Sequence, residues 1–376
     1  MMSARFLTVV LERAFNMRDG FGREIDYMRI SVIDSCNLNC YYCNPCDNNE
    51  HCHALNILSV KEVLCIVRAA TRLGIKHFRL TGGEPLLHPQ LDEMVLQIKK
   101  IPGVSSVSLT TNAVLLVQHA KWLKEAGIDS INVSLDTIDA SEYERITKKP
   151  LLEEVKHGIN AAIECGIRVK INVVLTPQTD VVALTRYVAK KGTDIRFIEM
   201  MPVGEGHTNG VEPYKKVIGT LSKLYGEPCR INTEKTKEIN SGNDKRKIPD
   251  NGPAEYYIFP ELGIRVGLIQ AIHGKFCDTC NRIRVTADGR LMPCLGSSVT
   301  MDLVPDSCEF TDDLEKDFVI VQALKAAIKA KPGCHNFNDN AVTYTKTTET
   351  KTVETKNTEL KAAEVNAARN MSRIGG

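Results

Sequence analysis

Six of the 13 cysteines fall in two close triplets. The first lies in CNLNCYYC at 36–43 and consists of Cys36, Cys40 and Cys43. The second lies in CDTCNRIRVTADGRLMPC and pairs the CxxC of Cys277 and Cys280 with Cys294, 14 positions further on. Each triplet reads in two ways. A distant Cys or His could close a tetrahedral zinc site. Alternatively, three thiolates hold three irons of a [4Fe–4S] cube and leave the fourth iron open to an outside ligand. For the first triplet, spacing and position after a strand favour the open cluster. In the second triplet Cys280 is followed at once by NRIR, which puts two guanidiniums beside the metal. If RIRV is a strand, Arg282 and Arg284 share a face, and arginine's rigid donor fork suits phosphate or carboxylate. The bland alternative is two surface arginines paired with carboxylates.

Elements of two kinds alternate from 27 to 200 and must position these residues. Apolar runs at 27–33, 76–81, 106–111, 130–135, 168–175 and 194–200 read as strands. Between them lie amphipathic stretches of 3.6-residue periodicity, several ending at Gly, which read as helices. The alternation predicts a parallel α/β sheet with right-handed crossovers. Six strands are too few for a closed eight-stranded barrel, so the expected fold is a partial, open β/α TIM-type barrel. Functional residues are then expected at the C-terminal strand ends. DSCNLNCYYC, TGGEP, TTN and SLDT follow the first four strands there. Further strands are expected at EYYIF and IRVGLI in a C-terminal extension that carries the second triplet.

Composition sets the outer bounds. The chain has 376 residues, 43% hydrophobic and 25% charged, with net charge +2. That is ordinary globular usage, and bulk charge calls for neither nucleic acid nor membrane. No apolar stretch approaches the ~18–20 residues of a membrane span. The opening MMSARFLTVVLERAF reads as an N-terminal helix rather than a targeting segment. Clustered rather than dispersed cysteines favour a reducing compartment, so the expected location is cytoplasmic.

CxxxCxxC with an aromatic before its last Cys, followed by GGEP after the next strand, resembles the radical S-adenosylmethionine (SAM) superfamily. A longer ordered set is more specific: FGREIDYMRISVIDSCNLNCYYC, RLTGGEPLL, INVSLDT, KINVVL, RFIEMMPVG, CDTCNRIRVTADGRLMPCL and the terminal MSRIGG. Together these closely resemble the GTP 3′,8-cyclase family, the molybdenum cofactor biosynthesis protein A family, from about residue 19 to about 335 and again at the end.

The resemblance implies a lyase holding two [4Fe–4S] clusters on the six named cysteines. SAM would chelate the open iron of the first and be cleaved to a 5′-deoxyadenosyl radical. The radical would take the ribose 3′ hydrogen of GTP, giving 3′,8-cyclo-7,8-dihydro-GTP, the first step toward molybdenum cofactor. The second cluster's open iron would bind guanine. The family pattern places SAM on Tyr42, Gly83, Ser134 and Met201, and GTP on Arg29, Arg79, Thr110, Lys170, Arg282 and Arg284. It also implies that Gly375 and Gly376 enter the active site and act in catalysis with Arg282 and Arg284. The implied partners are a flavodoxin- or ferredoxin-type electron donor, the downstream cyclic pyranopterin monophosphate synthase, and a second copy in a homodimer. The expected organisation is an N-terminal extension (1–18), the radical SAM partial barrel (19–226), a second-cluster domain (227–340), a Thr-rich linker (341–362) and the tail (363–376).

For Tyr42 and Met201 the bland reading is core filling, and for each cation it is a salt bridge, since a lone charge inside an apolar strand is costly. Some residues depart from the pattern. Asn44 replaces the usual Met after the third cluster cysteine. Cys46, His51, Cys52 and His53 follow it and read as loop residues rather than a zinc site. Cys65, Cys165 and Cys229 read as small core residues; Cys308 and Cys334 belong to no motif. KTTETKTVETKNTELK at 346–361 repeats every five residues, which fits neither a helix nor a strand face. The rival reading is another two-cluster radical SAM enzyme, such as a peptide-maturing one, which would lack CNRIR and the Gly-Gly end.

Overall fold

Alternation decides which way each strand faces. In a computed structural model describing residues 17–43, 56–203, 210–231, 252–297, 300–303, 313–335 and 337, the six expected strands form. They are β1 (Tyr27–Ser31), β2 (His77–Thr81), β3 (Ser106–Thr111), β4 (Ser130–Ser134), β5 (Val169–Leu175) and β6 (Asp194–Glu199). Ile30, Phe78, Leu80, Leu109, Val133, Ile171 and Phe197 are all fully buried in the apolar core. The intervening residues Arg29, Arg79, Thr110, Lys170 and Arg196 line a cavity on the opposite face. The period of two thus separates an apolar face from a polar bore.

The helices between them are α1 (Val60–Arg72), α2 (Leu91–Lys99), α3 (Leu116–Glu125), α4 (Ala140–Thr147), α5 (Leu152–Glu164) and α6 (Val181–Lys190). Ser59 and Glu62 form a reciprocal capping box at the start of α1, and Asp139 and Asp180 cap α4 and α6. The sequence reading did not include α4. It is one of two helices in a single crossover, and only its Asp139 cap marks its start.

The C-terminal part widens the sheet at both edges. It adds β7 (Cys229–Ile231), β8 (Glu255–Ile258), β9 (Arg265–Ile269), β10 (Arg282–Val285), β11 (Arg290–Met292) and β12 (Met301–Asp302), with helices α7 (Gly219–Tyr225) and α8 (Asp313–Lys329). The order is β12-β11-β10-β1-β2-β3-β4-β5-β6-β9-β8-β7, an open sheet. β10 pairs parallel to β1, and β9 parallel to β6. The partial barrel expected from the sequence is therefore extended by one parallel strand on each side. Neither strand could be assigned an edge from sequence, because their pairing partners are far away in the chain.

Cys65 is buried as expected, Cys165 is half-buried, and Cys229 is exposed on edge strand β7 rather than in the core. No helix among the described residues is long and apolar enough to cross a membrane. The opening helix, Asn44, Cys46, His51, Cys52, His53, Cys308, the 346–361 repeat, Gly375 and Gly376 lie outside the described residues.

Candidate active site

A cavity of about 830 Å³ runs along the inward face of the parallel strands. Its upper end is built from loops at the C-terminal strand ends. The loop after β1 carries Cys36, Cys40 and Cys43, and it is held from several sides. Asn39 N–H donates to the Thr147 carbonyl at 3.0 Å and Tyr41 N–H to that of Ile146 at 3.1 Å, so the end of α4 backs the loop. Gly83 N–H donates to the Ile33 carbonyl at 2.7 Å, and Glu84 N–H to that of Ser35 at 2.8 Å. A Cβ at Gly83 would run into the Ser35 carbonyl. The close approach that this glycine permits in the structure is to the cysteine loop itself.

Two carboxylates, the buried Glu84 and the partly buried Asp136, stand behind this triplet. Glu84 accepts from Thr111 Oγ1 at 2.7 Å, Asn112 N–H at 2.8 Å and Leu86 N–H at 3.0 Å. Asn112 Nδ2 donates to Asn37 Oδ1 at 2.8 Å and reaches Cys36 Sγ at 3.8 Å. The Tyr42 hydroxyl donates to Asp136, which also accepts from Val174 N–H at 2.8 Å. Burial pushes the Glu84 carboxyl up to about 7 and that of Asp136 up to about 6. Burial also raises the thiols, Cys36 to about 12 and Cys43 to about 11, with Asp136 adding to the shift at Cys43 and Cys40. Metal ligation requires these protons to leave.

The second triplet lies at the other end of the bore. β10 runs parallel to β1 with Arg282 beside Tyr27, so Cys280 stands at the N-terminal strand end. β11 returns antiparallel, with Arg284 opposite Met292, and two residues further on Cys294 comes level with Arg282. This departs from the expectation that functional residues gather at C-terminal strand ends. The β1 strand between the two ends spans roughly 13 Å at ~3.3 Å per residue.

Around this lower triplet the charge is reversed. Burial raises the Cys280 thiol, but Lys331 and Arg282 outweigh it and leave the group below its ordinary value. Arg23 Nη1 donates to the Cys277 carbonyl at 2.7 Å and to that of Gly333 at 3.0 Å. Lys331 Nζ donates to the carbonyls of Arg282 at 2.8 Å and Pro293 at 2.9 Å.

Between the two ends, strand register stacks polar residues in rungs. Arg284, Arg29, Arg79 and Ser108 lie side by side across β10, β1, β2 and β3. Thr110, Asn132 and Lys170 form the next rung across β3, β4 and β5. Packed TIM barrels fill this space with apolar layers; here it is lined with donors. Arg79 Nε donates to Ser108 Oγ at 3.1 Å, and Lys170 Nζ sits 5.7 Å from the Tyr256 ring centroid. Arg29 Nε, Arg284 Nη1, Thr110 Oγ1 and Asn132 Nδ2 are buried without a hydrogen-bond partner. Unpartnered buried donors are costly, and a polar anionic ligand in the bore would satisfy them. Burial holds Arg29 well below its ordinary range and Arg284 at about 10, with the neighbouring guanidiniums adding to both.

All the sequence-predicted residues that the structure describes meet in this one cavity. The six cysteines line it, as do Tyr42, Gly83, Ser134 and Met201. So do Arg29, Arg79, Thr110, Lys170, Arg282 and Arg284, the last two from one face of β10 as expected. Arg196, whose Nε donates to Asn172 Oδ1 at 2.9 Å, was missed. The signal for it was present: a charge inside the apolar run DIRFIEM, the same mark that singles out Arg29. Arg23 and Lys331 had no such signal, because they lie outside the strands.

The donor set, three thiols at each end of the bore, fits an iron–sulfur cluster with one open iron. The described cysteines are all free thiols. Among the described residues no three His, Cys, Asp or Glu side chains are arranged to hold one metal ion.

Known proteins agree with this geometry. The Radical SAM superfamily model matches residues 30–183, and the Molybdenum Cofactor Synthesis C model matches 193–337. Fold and site thus define a radical SAM protein with a molybdenum-cofactor-synthesis C-terminal part. A GTP 3′,8-cyclase of Clostridium perfringens is 36% identical over 85% of this chain and 95% of its own length. Those of Pelotomaculum thermopropionicum and Listeria monocytogenes are each 36% identical over 85% of this chain, and over 95% and 92% of their own. The chain belongs to the GTP 3′,8-cyclase family. Among solved structures, Streptococcus suis SuiB has a TM-score of 0.53 at 15% identity, over 84% of this chain and 68% of that one. SuiB bound to precursor peptide SuiA gives 0.52 at 15%, with 77% of this chain matched and 62% of that chain's length spanned. At such identity the likeness is one of fold alone.

Proposed function

We propose that this chain converts GTP to 3′,8-cyclo-7,8-dihydro-GTP in the cytoplasm, as the first step of molybdenum cofactor biosynthesis. The observation that carries this reading is the single bore with a cysteine triplet at each end and unpartnered arginine donors between. Cys36, Cys40 and Cys43 would hold one [4Fe–4S] cluster, and Cys277, Cys280 and Cys294 the other. When bound, the first cluster and SAM supply one-electron cleavage and a hydrogen-atom acceptor. Tyr42, Gly83, Ser134 and Met201 would bind SAM near the upper triplet. Arg29, Arg79, Thr110 and Lys170 would orient GTP, with Arg282 and Arg284 fixing its anionic groups beside the lower triplet.

The same reading divides the chain at 18, 226, 340 and 362, takes electrons from a flavodoxin- or ferredoxin-type donor, hands product to cyclic pyranopterin monophosphate synthase, and includes a homodimer. Gly375 and Gly376 would complete the site from the tail. Removing both is expected to abolish cyclisation while iron content stays at wild-type level. Full cyclisation by the truncated chain would take the tail out of the mechanism.

The deciding experiment is anaerobic incubation of reconstituted protein with GTP, SAM and dithionite, followed by product analysis. Cyclised nucleotide together with 5′-deoxyadenosine supports the reading. An iron-loaded protein that cleaves SAM but leaves GTP unchanged would point to the peptide-maturing alternative.

A further inference from the structure

Lys331 follows the end of α8 and is 3% exposed. Its ammonium has three protons to place. Two go to the carbonyls of Arg282 and Pro293. The Cys280 thiol lies in the field of this ammonium, which with Arg282 draws it below its ordinary value. No carboxylate appears among these partners. A buried ammonium without a counter-charge costs several kcal/mol, and among the described residues no carboxylate pairs with this one.

The partners identify the balancing charge. Arg282 stands two residues after Cys280, and Pro293 immediately precedes Cys294. One side chain therefore ties the two limbs of the lower triplet together. Arg23 anchors the remaining limb through the Cys277 carbonyl and holds the strap that carries Lys331 through the carbonyls of Pro332 at 2.6 Å and Gly333 at 3.0 Å. Unlike Lys331, Arg23 has a counter-charge, with its Nε on Asp19 Oδ2 at 2.6 Å. Among the described residues, the cation at this end of the strap that has no carboxylate partner is Lys331.

We propose that Lys331 is a positioning residue for the second iron–sulfur cluster, fixing the Cys280 and Cys294 limbs and raising the cluster's reduction potential. The proposal rests on the reading of the lower triplet as a cluster site. Three thiolates and a cube in its usual oxidised state together carry about one negative charge. One electron taken from an external reductant adds a second, with no bond made or broken. A fixed cation stabilises the more negative state, so its presence favours reduction.

The test is a dithionite titration, followed by electron paramagnetic resonance, of full-length reconstituted protein. A Cys36→Ala/Cys40→Ala/Cys43→Ala background leaves only the second cluster visible. Lys331→Met is expected to shift its potential downward, and Lys331→Arg to restore it. In the two-cluster protein the first cluster's potential should not move. If Lys331→Met does not take up the second cluster, Lys331→Arg and Lys331→Gln decide: a lower potential in Gln than in Arg supports the proposal, and equal potentials overturn it. A Met variant with full iron and an unchanged potential also overturns it and makes Lys331 a packing residue. Absence of iron at the lower triplet of the Cys-substituted background with Lys331 intact would instead remove the cluster reading itself, a separate outcome read by iron and sulfide analysis.

Discussion

The two cysteine triplets offer equal numbers of thiols in opposite electrostatic settings. Around the upper one stand Glu84, buried, and Asp136, partly buried, carboxylates whose ordinary acidity is suppressed by desolvation. Around the lower one stand Arg282, Lys331 and Arg23. The contrast follows from topology. The upper triplet rides on a loop among strand ends, where GGEP and SLDT supply acidic groups. The lower one is drawn to the far end of the bore because β10 runs parallel to β1, next to the arginine rung. A ligand with an anionic and a neutral end would be oriented by this difference alone.

Removing thiols should separate the two ends most sharply. Cys36→Ala, Cys40→Ala or Cys43→Ala is expected to abolish 5′-deoxyadenosine release, because on the proposed reading each would take one of three cluster ligands. Cys277→Ala, Cys280→Ala or Cys294→Ala should abolish cyclised product while reductive SAM cleavage continues. Loss of SAM cleavage in both sets equally would erase the functional distinction between the ends.

Acidity gives the next test. The Glu84 carboxyl is raised from 4.5 to about 7 by burial, so the folded state holds its proton more tightly than the unfolded state. Between those values the unfolded chain has released a proton that the folded chain retains, and stability falls as pH rises through the window. The full span amounts to about 3 kcal/mol. Anaerobic urea unfolding of the metal-free protein at pH 4.5 to 7.5 should show this decline, and Glu84→Gln should reduce it, most plainly above about pH 6 where Asp136 no longer contributes. Parallel slopes in the two proteins would mean that Glu84 ionises freely.

At the lower end the expected losses concern binding. Arg282→Ala and Arg284→Ala should each weaken GTP binding by roughly 10- to 100-fold, the worth of a charge-assisted hydrogen bond at about 1.5–3 kcal/mol. Equilibrium binding with iron analysis checks it, and unchanged affinity at full iron content would count against the arginine clamp.

How much of this was legible in the sequence depends on the range over which each feature is set. The six strands and their polar faces are local, written in period-two patterns such as RVKINVVL, where Lys170 interrupts an apolar run. The cysteine triplets and Arg282/Arg284 are local too. What sequence could not place is the non-local part. That β9 and β10 close onto opposite edges depends on partners across the fold, and so does the position of the lower triplet at the N-terminal strand ends. Arg23 sits 254 residues from the Cys277 carbonyl it binds, and nothing near either residue announces the other. Asp136 was readable as part of SLDT, but its hydrogen bond to Tyr42 was not.

Asn132 tests the stretch between the ends, where charge is not the issue. It is 1% exposed, stands between Thr110 and Lys170 in register, and its Nδ2 has no partner. Its environment therefore differs from both triplets: a neutral donor aimed into a bore whose ends are charged. Asn132→Ala removes only that donor, so the expected loss in GTP affinity is a modest ~2- to 10-fold, the range of a neutral hydrogen bond at about 0.5–1.5 kcal/mol. Asn132→Asp keeps the shape, replaces the donor with an acceptor and brings a negative charge toward an anionic substrate. It should cost more than Asn132→Ala despite being the smaller steric change. Iron content and SAM cleavage should stay at wild-type level in both, since neither triplet is touched. If Asn132→Asp binds GTP better than Asn132→Ala, the carboxylate is pairing with Lys170 rather than facing substrate, and the second rung belongs to the scaffold instead of the binding surface.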